Sequence, residues 1–172
     1  MFCVWLMGLS ASGKTTLARL LEEALLQRGL LVEVLDGDLL RSNMSKELGF
    51  SQEDRETHLR RIAKVAGNLC RNGVVVVVAA ICPYHTIREE VRTEIGEFVE
   101  VYLDCPLEIC IRRDPKGLYR KALDGEIKNF TGINDPFETP LRPEIVVRTG
   151  EESPDECLSR ILAGLEALKQ IP

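Results

Sequence analysis

Residues 8–15 read Gly-Leu-Ser-Ala-Ser-Gly-Lys-Thr, the pattern GxxxxGK[ST]. Few octapeptides restrict a chain so strongly, because each fixed position has a mechanical task. Gly8 and Gly13 let the backbone turn tightly and aim its N–H groups at phosphate oxygens, with Leu9, Ser10, Ala11 and Ser12 as the intervening cradle. Lys14 places a cation between the β- and γ-phosphates, and Thr15 offers a hydroxyl to Mg²⁺. Thr16 completes the ATP-binding set at the start of a helix whose dipole adds further positive potential.

The setting agrees with the motif. Phe2 to Met7 is a continuous apolar run of the length of a buried strand, and Leu17, Leu20, Leu21, Ala24 and Leu25 follow at helical spacing. The rest of the chain repeats the alternation. Strands are predicted at about 2–7, 31–35, 74–80, 98–103 and 144–147, and helices at about 14–28, 52–72, 84–95, 106–112 and 154–169. Such alternation implies an α/β domain with a parallel sheet and helices on both faces. Gly29 and Asn72-Gly73 read as helix stops; Ser51 and Ser153-Pro154 read as starts. One segment, Arg112 to Pro143, breaks the rhythm with many Gly, Pro and charged residues. Its clustered basic and aromatic residues, among them Arg113, Lys116, Tyr119 and Phe130, mark an active-site lid over about 112–143 rather than a bland insertion.

The 172 residues suit one domain, 1–172, and the net charge of −5 disfavours nucleic acid as a main partner. The longest apolar run, Val74 to Ile81, is far short of the ~20 residues of a membrane span. No signal peptide is visible and the six cysteines form no CxxC, so reduced buried thiols in the cytoplasm are expected, with no membrane partner.

In an open α/β sheet, ligands bind beyond the carboxyl ends of the strands. Three segments should converge there. Asp36-Gly37-Asp38 offers two carboxylates, for Mg²⁺ through water or for taking a proton from an attacking hydroxyl; an Asp-Gly turn with capping aspartates is the plainer alternative. Arg41 lies one turn further on. Arg55 and His58, three apart, share a helix face suited to an anion, or else belong to a solvated charged face. Phe50 suits a core staple and a base-stacking surface equally. Cys82-Pro83-Tyr84 follows the most apolar strand, with Pro83 starting a helix; a lone cysteine at such a place is more often structural than reactive. A basic lid closing on a triphosphate would neutralise charge during phosphoryl transfer. The reaction class is therefore transfer of the γ-phosphoryl of ATP to a small acceptor.

At this resolution of detail the chain resembles the adenylylsulfate kinase (APS kinase) family over about residues 4–148. The resemblance rests on the phosphate loop, Leu35-Asp-Gly-Asp38 with Arg41, Leu48-Gly-Phe-Ser51 through Arg55 and Arg60-Arg61, Pro83-Tyr84, Tyr102 to Glu108, Arg113-Asp-Pro-Lys-Gly-Leu-Tyr119 and Gly125 to Gly132. It implies a P-loop kinase with a five-stranded parallel sheet that phosphorylates the 3′-hydroxyl of adenosine 5′-phosphosulfate with MgATP. It further implies that Phe50 and Phe130 sandwich the acceptor adenine, that Arg41 and Arg55 bind its phosphosulfate, and that Ile81 and Lys116 reach it. Lys14, Asp36 and Asp38 would be catalytic, Thr15 would hold Mg²⁺ with Asp36 joining through water, and the enzyme would be a homodimer, free-standing or joined to a sulfurylase. The chain departs from the usual pattern at His58 and Ser45, both commonly Asn, at Cys82, commonly Ser, and at Ala11, commonly Gly and expected to cost little. A thiol at position 82 leaves no hydroxyl for a phosphoserine route, which favours direct in-line transfer. His58 and Cys82 would still line the acceptor site. The alternative is a kinase of the same fold with another nucleotide or small-molecule acceptor.

Overall fold

Alternate residues of the first strand face opposite sides of the molecule, and this period of two divides the core. In the computed structural model, which describes residues 1–171, β1 (Cys3–Met7) sends Val4 and Leu6 to one face and Cys3, Trp5 and Met7 to the other. All five are buried, as a central strand covered on both sides requires. The same split runs through β3 (Val75–Ala79).

The first face is closed by α1 (Lys14–Gln27), through Leu17, Leu21 and Leu25, and by α7 (Pro154–Ala167), through Cys157, Ile161 and Leu165. The second is closed by α3 (Gln52–Arg71), through Leu59, Ile62 and Ala66, and by α4 (His85–Ile95), through Ile87 and Val91. With β2 (Val32–Asp36), β4 (Phe98–Leu103) and β5 (Ile145–Val147) the sheet is five-stranded and all-parallel, in the order β2-β3-β1-β4-β5. Removing a large core side chain such as Trp5, which also donates from Nε1 to Ala80 O, would cost about 3–5 kcal/mol.

Gly29 and Gly73 take the left-handed backbone of helix stops, and Ser153 forms a full capping box with Glu156. Three differences from the expected elements have clear causes. The helix after Pro83 begins only at His85, with Tyr84 as its cap. The short α2 (Gly37–Met44) buries only Gly37 and α6 (Leu118–Leu123) spans six residues, so neither carries a periodic apolar stripe. Among the described residues, no helix is long and apolar enough to cross a membrane.

Because β1 connects to β2 across the intervening β3, the chain reverses direction beside β1. The carboxyl ends of β1, β2 and β3 open into one crevice there. The 112–143 segment lies against that crevice. It includes α6, follows α5 (Leu107–Arg113), and has its own small core: Tyr119 is fully buried, meets Phe130 edge-on at 5.0 Å, and packs with Cys105 and Cys110.

Candidate active site

The phosphate loop leaves β1 at Gly8, where a Cβ would come within 2.8 Å of Ser12 Oγ and 2.9 Å of Leu103 O, so glycine is required by space. Gly13 caps α1 with φ 101°, so it is required by conformation. Ala11 also lies in the left-handed region, at φ 61°. A Cβ there costs about 1–2 kcal/mol, more than the sequence suggested. The loop is propped from outside: Tyr119 donates its hydroxyl to Ser10 O at 2.8 Å, and Arg113 reaches Ala11 O. Lys14 Nζ donates to Gly8 O (3.0 Å) and Leu9 O (2.6 Å). Burial lowers its ammonium to about 8, against the opposing pull of Asp38 and Asp36.

Asp36 takes the plainer capping role and also reaches the phosphate loop. Oδ1 accepts the Asp38 and Leu39 N–H groups and caps α2, while Oδ2 accepts the Thr15 hydroxyl at 3.0 Å. Each oxygen is thereby committed. Asp38 is free of such duties and meets Lys116 of the 112–143 segment at 2.5 Å. This contact spans 78 residues of sequence and closes that segment over the mouth of the phosphate loop.

Arg41 donates to Gly49 O and lies 4.7 Å above the Phe50 ring. Phe50 is 59% exposed, which removes the core-staple reading. Arg55 and His58 are both buried, so their helix face is not a solvated one. Arg55 pairs with Asp135 (2.9 Å) and Thr131 (3.0 Å). His58 places Nε2 on Gly37 O and Nδ1 on Ser45 Oγ, each at 2.9 Å. Two positions at which the chain departs from the family pattern therefore touch. Burial, aided by Arg41 and Arg61 and opposed by the Gly37 carbonyl, lowers His58 below the usual imidazole range. Neutral, with its proton on Nε2, it ties α3 to both ends of α2.

Cys82 is fully buried at φ 38°, and burial pushes its thiol up to about 12. It is therefore a protonated structural thiol at neutral pH, not a nucleophile. All six cysteines are free and buried.

These residues share one cleft of about 1260 Å³, lined by Ser10 to Thr16, Asp36, Asp38, Arg41, Phe50, Arg55, His58, Ile81, Cys82, Lys116 and Phe130. That exceeds the ~300–1,000 Å³ of an ordinary one-ligand pocket. Of the residues expected to bind ATP or the acceptor, Gly8 and Leu9 do not line it; their carbonyls hold Lys14 instead. The sequence did not single out Thr131, Asp135 and Ser45 as partners of Arg55 and His58. Each lies at least 13 residues from its partner, so no local spacing connects them.

A model of the adenylylsulphate kinase family matches residues 1–148. The adenylyl-sulfate kinase of Rippkaea orientalis is 56% identical over 165 residues, covering 96% of this chain and 91% of that one. A probable bifunctional SAT/APS kinase of Sorangium cellulosum is 54% identical, over 99% of this chain but only 29% of its own length. The solved APS kinase of Mycobacterium tuberculosis, in complex with AMPPNP and APS, superposes with a TM-score of 0.91 at 44% identity, covering 96% of this chain and 97% of that one. The phosphate loop, the paired aspartates and the basic segment across them thus stand in a chain that belongs to the adenylylsulfate kinase family.

Proposed function

We propose that the chain transfers the γ-phosphoryl of ATP to the 3′-hydroxyl of adenosine 5′-phosphosulfate, giving 3′-phosphoadenosine 5′-phosphosulfate and ADP. The observation that carries this reading is the single cleft, which runs from the phosphate loop to an exposed aromatic–arginine platform at Phe50 and Arg41. One end suits a triphosphate and the other an anionic nucleotide. The Mycobacterium tuberculosis relative, solved with both kinds of ligand, supports the pairing.

ATP would lie on residues 8–16, with Lys14 turning from the loop carbonyls to the β- and γ-phosphates. Thr15 and Asp36 present adjacent oxygens, the hard donors that Mg²⁺ prefers, and such sites use one or two protein ligands plus substrate phosphates. When bound there, Mg²⁺ would offset the charge on the phosphoryl oxygens. With Asp36 held by the α2 cap and Thr15, Asp38, which meets Lys116 through Oδ2, would be the carboxylate to receive the 3′-hydroxyl proton as that oxygen bonds to the γ-phosphorus. The β–γ bridging oxygen leaves with ADP. Arg41 and Arg55 would pair with the phosphosulfate, Phe50 and Phe130 would stack the adenine, and Ile81 and Cys82 would border it. Lys116 would follow the transferring charge, and the 112–143 segment acts as the lid that excludes water.

We further read residues 1–172 as one domain that works as a homodimer. The fused relative supports an association with a sulfurylase, and the six free thiols support a reducing compartment such as the cytoplasm. A coupled ADP-release assay with MgATP and adenosine 5′-phosphosulfate, with the product identified by mass, tests the reaction. Turnover at low-micromolar acceptor is expected. Intact ATP binding without turnover would point to the same fold serving another nucleotide or small-molecule acceptor.

A further inference from the structure

The segment that leaves β3 is held at three of its four carbonyls, each by a different part of the molecule. Ala80 O accepts Trp5 Nε1 from β1 at 3.2 Å. Cys82 O accepts Arg88 Nε from the first turn of α4 at 2.9 Å. Pro83 O accepts the Glu138 N–H, from the returning end of the lid, at 2.8 Å. The middle attachment is the unusual one. Cys82 is a non-glycine residue at φ 38°, a conformation that persists only where the surroundings impose it. Its carbonyl is gripped by a guanidinium that is itself 4% exposed.

Burying an arginine is costly unless something holds its charge. Here Glu100 of β4, also buried, and Glu138 supply the opposing charge, and the guanidinium carbon lies 5.2 Å from the centre of the Phe137 ring. Phe137 in turn stacks on Tyr102 at 6.2 Å. The His85 N–H donates to Glu138 Oε2, which draws the same stretch of lid onto the start of α4. The arginine thus sits where the strained backbone of the cleft wall meets the base of the lid.

We propose that Arg88 is a positioning residue for the acceptor end of the cleft: it imposes the left-handed backbone at Cys82, sets the course of Ile81 to Pro83, and locks that segment to the returning lid through Phe137. It touches neither the reacting hydroxyl nor the phosphates of ATP. The inference rests on the reading of Ile81 and Cys82 as the border of the acceptor.

Steady-state kinetics of Arg88→Met and Arg88→Lys, alone and in a Cys82→Gly background, test it, with folding checked by thermal melting. Arg88→Met is expected to raise the adenylylsulfate KM about tenfold and to leave the ATP KM within about twofold. Arg88→Lys keeps the charge and one donor and should give an intermediate rise. Glycine adopts φ 38° without strain, so in the Cys82→Gly background the Arg88→Met effect should shrink to about threefold or less. A parallel rise in both KM values, a fall in kcat alone, or an equal acceptor effect in both backgrounds would overturn the proposal. Should Arg88→Met fail to fold, Arg88→Lys carries the comparison, and a wild-type acceptor KM in that variant overturns it as well. A wild-type chain that does not turn over adenylylsulfate would remove the acceptor assignment first, and this inference with it.

Discussion

Lys14 is a cation placed where burial disfavours its charge, with two aspartates retaining part of it. Its lowered value of about 8 has a kinetic consequence. As pH rises through that value the free enzyme loses the charge that ATP needs, so kcat/KM for ATP should fall about tenfold per pH unit above it. In the ternary complex the phosphates restore the ammonium, so kcat should hold to higher pH. A kcat/KM profile flat to pH 10 would show that the Lys14 ammonium keeps its charge in the free enzyme. Phe50 supports a second prediction at this scale. Its ring is exposed and backed by Arg41, so Phe50→Ala should weaken acceptor binding by about 1–3 kcal/mol, read as a raised acceptor KM with unchanged ATP KM. Equal acceptor kinetics in the variant would place the adenine elsewhere.

The short α2 joins the nucleotide end of the cleft to the acceptor end. It bears Asp38 and Arg41, its cap is Asp36, and His58 holds both its termini. Capping and chemistry coincide in Asp36, and two substitutions separate them. Asp36→Ala removes the cap and the Thr15 contact together, at about 1 kcal/mol for the cap, with loss of turnover. Asp36→Ser keeps a capping oxygen and should melt near the wild type while remaining as inactive as the alanine variant. An active serine variant would confine Asp36 to its structural duty. The amphipathic α1, α3, α4 and α7 were evident from their apolar spacing, whereas α2 was not, because it buries almost nothing of its own.

At the scale of the whole molecule the 112–143 segment is pinned to Asp38 by Lys116, to α3 by the Arg55–Asp135 pair, and to the segment after β3 by Glu138. The Lys116–Asp38 pair is solvent-exposed on both sides, so it should contribute only about 0–1 kcal/mol to stability. Lys116→Ala is therefore expected to leave the melting transition almost in place while lowering kcat. A large drop in Tm with normal kcat would make the pair a structural tie. The parallel sheet supports this division of labour: a doubly covered β1 fixes the phosphate loop, and the 112–143 segment brings a small core of its own.

The order of strands and helices, the phosphate loop and the two aspartates were legible in the chain because each depends on local spacing: a period of two or 3.6, or a glycine at a fixed offset. The same spacing left Phe50, Arg55, His58 and Cys82 each with two readings. Tertiary structure removed one reading of each. Phe50 is exposed, covered on one side by Arg41. Arg55 is buried beside Asp135, its ion-pair partner 80 residues away. His58 is neutral because burial and two arginines disfavour its charge. Cys82 is inert because it is enclosed. Local pattern determines which face a side chain takes; its charge state and its partner follow from the segments that folding brings beside it.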